Sequence, residues 1–374
     1  MRGPNVVLLA MRGPLAYEVL RALHAMGARV KLMCDRRSSI RFSQYCETLY
    51  VSPDIATESA DRILQLVNAQ HGREPIDLVV ASDVAGVMLL NGIRSELSPP
   101  VFPAPDNATL ALLDNKWRFQ KLCLTLGIPA PDSIFFESKE TLDLARVERE
   151  LGYPVVVKPV DLSGSDGVII AENAESLLRR LRSDRHHRKA GAGLIAQRYV
   201  AGQDWGYIAF AIDGHVDVAL TFACGANWRT EYRDNPELHD AARRIIEHVR
   251  YTGMVNFDCR LEDETGIFQF LECNPRFSHR ITATRLCGLN FLKVALGAEA
   301  QLCGDVCYRP LRDVFTRQGA GDLVRGRWPL SILVTELSET VSDPIAALIQ
   351  KGPWRSTAQR AMSPLLHRLR SARP

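Results

Sequence analysis

Apolar positions in the first hundred residues change period repeatedly. Val6–Ala10 is an unbroken apolar run, as expected of a strand buried on both faces. Leu15, Val19, Leu20 and Leu23 then recur at helical spacing across Pro14–Met26, and Gly27 supplies the stop. Arg29–Met33, Thr48–Val51 and Asp77–Ala81 are further short strands, with a helix predicted over Glu58–Gln70. This βαβ rhythm predicts a doubly wound parallel sheet. Pro99-Pro100 and Pro103-Ala-Pro105 end the pattern.

Beyond that boundary the pattern becomes α+β. Helices are expected at Asn107–Leu113 and Lys116–Leu126, and strands near 155–159, 167–171, 193–200, 206–212 and 215–224. Helices follow near 174–182 and 237–250, and Cys287–Ala300 is expected to form a closing helix. Between the last two lie two β-prone runs, Met254–Phe257 and Gly266–Leu271, joined by the polar turn Glu262–Gly266. They predict a hairpin carrying Asp258, Glu272 and Asn274, and strand alternation puts Glu272 and Asn274 on one face.

The 374 residues admit two or three domains, and 46% hydrophobic with 24% charged residues is the composition of a globular chain. No apolar run reaches the about 18 residues of a membrane span, and Val6–Ala10 is short for a leader sequence. Nine scattered cysteines without a C-x-x-C pair fit reduced thiols in a cytoplasmic protein. Charge is uneven: the last 31 residues, from Pro344, carry six basic residues and no acidic one. With Trp354 the only aromatic there, no nucleic-acid site is expected. The turn Ala10–Pro14 has one glycine, so no dinucleotide fingerprint is present.

The candidate chemistry falls in a fixed order. Lys116 opens a helix, and Lys158 ends the apolar run of Gly152–Pro159, where a buried ammonium needs an anionic partner. The loop Ser163-Gly164-Ser165-Asp166-Gly167 is small enough for backbone N–H groups to close around phosphate oxygens. The strand ending at Gln197, Tyr199 and Val200 is followed by Asp204, offering an adenine slot and a ribose acceptor. Asp258, Glu272 and Asn274 are an all-oxygen set suited to magnesium. His186-His187, inside the charged run 179–189, is expected to be a solvated loop.

This series, from Lys116 to Glu272-x-Asn274-Pro-Arg276, resembles the ATP-grasp superfamily over residues 1 to about 302, and Glu272–Gly297 most resembles its carbamoyl-phosphate synthetase and biotin carboxylase branch. The resemblance implies a pre-ATP-grasp βαβ domain at 1–105 and a two-subdomain ATP-grasp fold at 106–302. Its nucleotide lid would span about 130–200 and its metal-binding part about 201–302, with a C-terminal helical extension at 303–374. It implies ATP and magnesium or manganese as cofactors, with Lys116 and Lys158 on the α- and β-phosphates. Ser163–Gly167 would lie over the γ-phosphate, Gln197, Tyr199 and Val200 around adenine, and Asp204 on the ribose. Asp258, Glu272 and Asn274 would hold metal, and Arg276 would steady the transferred phosphoryl group. Gln197 and Asp204 depart from the glutamates usual at those two positions.

The implied reaction joins a small-molecule carboxylate, activated as an acyl-phosphate, to an amine. A small-molecule kinase and an ATP-binding regulatory or scaffold protein are the alternatives. Arg229, His279 and Arg280 are candidates to hold the carboxylate, since guanidinium pairs with it bidentately. The basic C-terminal tail is a candidate for contact with an anionic membrane surface, against a helical appendage docked on the body or on a second subunit of a homodimer.

Overall fold

The computed structural model describes residues 3–11, 13–162, 166–184, 186–188, 193–225, 229–300, 307–309, 311, 314 and 316–344. The chain divides into two compact units. One holds the described residues of Met1–Ala104, Ala226–Tyr232 and Arg276–Pro374, the other those of Pro105–Gly225 and Arg233–Pro275.

The first unit is built on a parallel sheet of four strands, β1 (Asn5–Ala10), β2 (Arg29–Asp35), β3 (Cys46–Ser52) and β4 (Leu78–Ala81), in the order β3-β2-β1-β4. The central strand β1 is buried throughout, because both faces of a parallel sheet are covered. The helix Gly13–His24 returns from β1 with Leu15, Val19, Leu20 and Leu23 inside, as their spacing predicts. The helix Ala60–Arg73 starts where the Ser59 hydroxyl caps the Arg62 N–H. Later residues come back onto the first helix. Thr282 Oγ1 and Asn290 Nδ2 donate to the carbonyls of Glu18 and Ala22.

The expected helix over Cys287–Ala300 is not formed as one piece. Only Phe291–Ala295 is helical there, and a separate helix, Ile281–Leu286, ends just before it. Gly288 adopts φ 104°, and the Asn290 side chain caps the Leu292 N–H, so a stop and a new start fall inside the run.

The second unit has two antiparallel layers. The strands β5 (Ser133–Phe136), β6 (Val155–Pro159), β7 (Ile169–Ala171) and β8 (Leu194–Arg198) form a sheet in the order β5-β8-β6-β7. Val155, Val157, Ile169 and Ala196 from this sheet meet Val147, Leu177 and Leu181 of two helices in a closed core. The longer strands are β9 (Gly202–Ile212), β10 (His215–Cys224), β12 (Gly253–Glu262) and β13 (Phe268–Asn274), paired in the order β13-β12-β9-β10. The short β11 (Thr230–Tyr232) and β14 (Cys307–Tyr308) pair with each other in the first unit. The helices Lys116–Thr125 and Pro236–His248 supply Phe119, Leu122, Leu238 and Ile245 to a core with Tyr207, Phe257 and Phe270. β9 begins at Gly202, earlier than the expected 206. Gly202 to Asp204 continue the ladder against Arg260–Glu262, and a Cβ at Gly202 would lie 1.9 Å from the Leu261 carbonyl oxygen.

Among the described residues all eight cysteines are free, and no helix is long and apolar enough to cross a membrane.

Candidate functional site

The hairpin forms as its alternation predicts. Its turn closes where the Gly266 N–H reaches the Glu262 carbonyl at 2.8 Å, with Gly266 at φ 67°. Asp258 and Glu272 lie directly opposite each other, and Asn256 opposite Asn274, with a bulge just after Asp258. Asn274 Nδ2 donates to Asp258 Oδ2 at 2.9 Å and Asn256 Nδ2 to Oδ1 at 3.2 Å. Two carboxylates and two amides therefore share one face. The intervening Cys273 and the following Cys259 are buried in the core, and burial drives both thiols well above their ordinary range.

Two lysines complete this cluster. Lys116 is the first residue of its helix, placed by the Asn115 side chain capping the Trp117 and Arg118 N–H groups and by its own N–H bonding Val160 O at 2.9 Å. Its Nζ lies 3.3 Å from Glu272 Oε2 and also donates to the Leu162 carbonyl. Lys158 is buried in β6 and donates to the Leu271 carbonyl at 3.2 Å. Burial pulls the Lys158 ammonium down to about 8, with Glu272 opposing and Lys116 adding to the fall. For Glu272 burial acts upward, but Lys116 and Lys158 together hold the carboxyl below its usual range.

This donor set fits a hard divalent cation. It offers carboxylate and amide oxygens while the nearby thiols face the core, and magnesium takes one or two protein carboxylates, leaving its remaining positions to water and phosphate. Among the described residues no three His, Cys, Asp or Glu side chains gather.

The hinge residues begin at the end of β8 and continue past it. The buried Gln197 side chain donates to Gln120 Oε1 (3.2 Å) and Ser133 Oγ (3.1 Å). Arg260, which the sequence reasoning missed, braces the rest. It donates to the Val200 carbonyl at 3.0 Å, sits 5.7 Å from the centre of the Tyr199 ring, and grips Asp204 Oδ1 through Nε and Nη2 at 2.7 and 2.6 Å. The only hint in the sequence is an arginine two residues past Asp258, at the alternate position of the same strand. Gln120 was also missed, and nothing in its helix marks it.

Ser163, Gly164 and Ser165 lie outside the described residues. Gly167 adopts φ 73°, and a Cβ there would press at 3.0 Å on the Pro159 ring, so glycine is required at the base of this loop. The expectation of a solvated loop at His186-His187 is corrected. His187 is buried, with Nε2 2.6 Å from the Gly167 carbonyl. A carbonyl only accepts, so Nε2 carries the proton and His187 anchors the loop.

The remaining candidates belong to the first unit. Arg276 donates to the Phe277 carbonyl at 3.0 Å, His279 is exposed, and Arg280 donates to Thr230 Oγ1. Arg229 is paired with Glu231 and, at 3.3 Å, with Asp322.

Comparison with known proteins follows the same outline. Residues 194–314 match the family described as ATP-grasp in the biosynthetic pathway with Ter operon. The chain is 25% identical over 315 residues to the N-terminal section of the carbamoyl phosphate synthase large chain of Methanopyrus kandleri, covering 74% of this chain and 53% of that one. It is 23% identical over 305 residues to the mitochondrial methylcrotonoyl-CoA carboxylase subunit alpha of Dictyostelium discoideum, covering 74% and 42%. The chain thus spans about half the length of these relatives. Among solved structures it is similar to an N5-carboxyaminoimidazole ribonucleotide synthetase in complex with ADP (TM-score 0.62, 15% identity, 87% and 86% covered). It is also similar to an L-amino acid ligase from Bacillus licheniformis (TM-score 0.58, 16% identity, 79% and 74% covered).

Proposed function

We propose that this chain, which carries an ATP-grasp domain, activates a small-molecule carboxylate with ATP and joins it to an amine, releasing ADP and phosphate. The observation that carries the reading is the cluster that Lys116 and Lys158 make with Asp258 and Glu272 of one hairpin face. Magnesium, bound by Asp258, Glu272 and Asn274, would neutralise phosphate charge as the phosphoryl group moves. Lys116 and Lys158 would turn from carboxylate and carbonyl partners to phosphate oxygens, which are stronger acceptors. Gln197, Tyr199 and Val200 would border adenine. Arg260 holds one oxygen of Asp204, leaving the other for a ribose hydroxyl.

The substrate carboxylate would attack the γ-phosphate, and the amine would then displace phosphate from the acyl-phosphate carbon. The loop 163–167, anchored by His187, would keep water from that intermediate. Arg276 would steady the phosphoryl group, with His279 and Arg280 toward the carboxylate. Arg229 is the weaker candidate, since two carboxylates already hold it. Residues 1–105, 106–302 and 303–374 would be the preceding domain, the ATP-grasp domain and its extension. The free cysteines support a reducing, cytoplasmic setting.

Phosphate release measured against libraries of carboxylates and amines tests the reaction. Phosphate release that needs both substrates is expected, while ADP formed with a hydroxyl substrate and no amine, the phosphoryl group staying on the substrate, would make the protein a kinase. Glu272→Ala and Lys158→Ala are expected to abolish ADP formation with an unchanged circular dichroism spectrum. Turnover near the wild-type rate in both variants would sink the assignment of the site.

A further inference from the structure

The helix Leu330–Ser342 is turned inside out. Its two charged residues face the interior of the first unit. Glu336 accepts from the Tyr308 hydroxyl at 3.0 Å, and Glu339 meets Arg21 and Arg285, each at 2.6 Å. Asp343, just past its end, is fully buried and accepts from the Tyr17 hydroxyl at 3.1 Å. The outward face carries Leu330, Val334, Leu337 and Val341, between 49% and 70% exposed. Their spacing of four, three and four residues aligns them in one stripe. Between them the outward positions are serines and threonines, so this surface carries no charge.

The flanks are basic. Arg325 and Arg327 are exposed just before the helix. Residues 344–374 follow with six basic side chains and no acidic one. Every acidic residue between 317 and 374 is among Asp322, Glu336, Glu339 and Asp343, each turned inward onto a partner.

We propose that this face docks on an anionic lipid surface, the apolar stripe entering the headgroup boundary and the flanking Arg325 and Arg327 meeting lipid phosphates. A helix of this kind lies in the interface plane at a depth of about 5–10 Å, and neighbouring cations add attraction to anionic lipid. A second copy of the chain fits less well. Pairing the stripes would bring two basic flanks together, and four side chains fall far below the roughly 800 Å² per partner of a stable interface. The inference stands apart from the ligase reading, and no residue of the nucleotide site enters its test.

The test is co-sedimentation of the full chain with vesicles of phosphatidylcholine and with an equimolar mixture of phosphatidylcholine and phosphatidylglycerol. Binding is expected to be at least about tenfold stronger to the mixture and to weaken with added salt. Val334→Asp combined with Leu337→Asp lies wholly on the exposed face and is expected to reduce binding about tenfold at an unchanged melting temperature. Arg325→Glu with Arg327→Glu should weaken binding to the mixture only. Equal binding to both vesicles, wild-type binding by the apolar double variant, or no binding at all would overturn the proposal. So would a dimer in vesicle-free buffer that the apolar double variant abolishes.

Discussion

Two buried groups of charges, one in each unit, use the same chemistry and end differently. In the first unit Arg21 reaches Glu339 Oε2 through Nε and Nη2 at 3.0 and 2.6 Å, and Arg285 Nη2 lies 2.6 Å from Oε1 and 2.8 Å from Oε2. Planar guanidinium donors are here matched to carboxylate oxygens. In the second unit the cations are lysines, and both donate to main-chain carbonyls, Leu162 for Lys116 and Leu271 for Lys158. Asp258 and Glu272 lie side by side on one face. The first arrangement ties distant segments together. The second has carboxylates aligned for a cation and ammonium groups matched to anions, and MgATP, the ligand proposed above, would supply both.

That contrast predicts opposite responses to losing a cation. Arg21→Met should be the most damaging, because it removes the ion pairs of Arg21 with Glu339 and Glu18 from the interior and leaves Arg285 to hold Glu339. Removing one partner of a buried pair costs about 3–5 kcal/mol, to be read from urea unfolding. A loss below about 1 kcal/mol would mean that this cluster contributes little to the fold.

The pH response of the same cluster comes next. Burial raises Glu336 from an ordinary 4.5 to about 7, against Arg21 and the Tyr308 hydrogen bond, with Glu18 and Glu339 adding to the rise. A carboxyl with a raised folded-state pKa binds its proton more tightly when folded. Its contribution is therefore complete below about 4.5 and is lost as pH climbs through about 7. Its size is on the order of 3 kcal/mol. Glu336→Gln should flatten this part of the stability profile, and an unchanged slope in the variant would assign it to other groups.

Much of the candidate site's geometry could be read from the sequence because it rests on local rules. Alternation sets Glu272 and Asn274 on one face, a helix start positions Lys116, and an apolar strand buries Lys158. Partners set by tertiary packing were out of reach. Arg260 matters only because β9 and β12 pair in a register that brings Asp204 beside it. The helix Leu330–Ser342 is the sharpest case. Its apolar stripe would ordinarily be placed inward, yet Arg21, Arg285 and Tyr308, remote in sequence, draw its polar side inward instead. The break at Gly288 was visible as a residue, but the cap from Asn290 that makes it a boundary was not.

Lys158→Met moves the comparison to the second unit. Burial makes the ammonium costly, so its removal should change stability by no more than about 1 kcal/mol, in contrast to Arg21. The affinity for MgATP should fall about 10- to 100-fold, the worth of a charge-assisted hydrogen bond. Calorimetry and urea unfolding on the same sample read both quantities. A large stability loss with unaltered nucleotide affinity would place Lys158 with the structural ion pairs.

The smallest effect is expected at Asp204, where the two behaviours meet in one side chain. Its pair with Arg260 is a half-exposed one, and such pairs contribute about 0.2–1 kcal/mol. Arg260 also keeps its bond to the Val200 carbonyl, so Asp204→Asn should leave stability within that range. Both guanidinium contacts fall on Oδ1, and the substitution removes charge while keeping one acceptor oxygen. If Oδ2 receives a ribose hydroxyl, ATP should bind the variant about threefold more weakly, the worth of one partly solvated hydrogen bond. The 2′-deoxy analogue distinguishes this from a general loss of field. A carboxylate acting on the hydroxyl separates ATP from the analogue in the wild type, and the gap narrows in Asp204→Asn. A carboxylate acting only to hold Arg260 weakens both ligands equally, and that result would return Asp204 to the structural class.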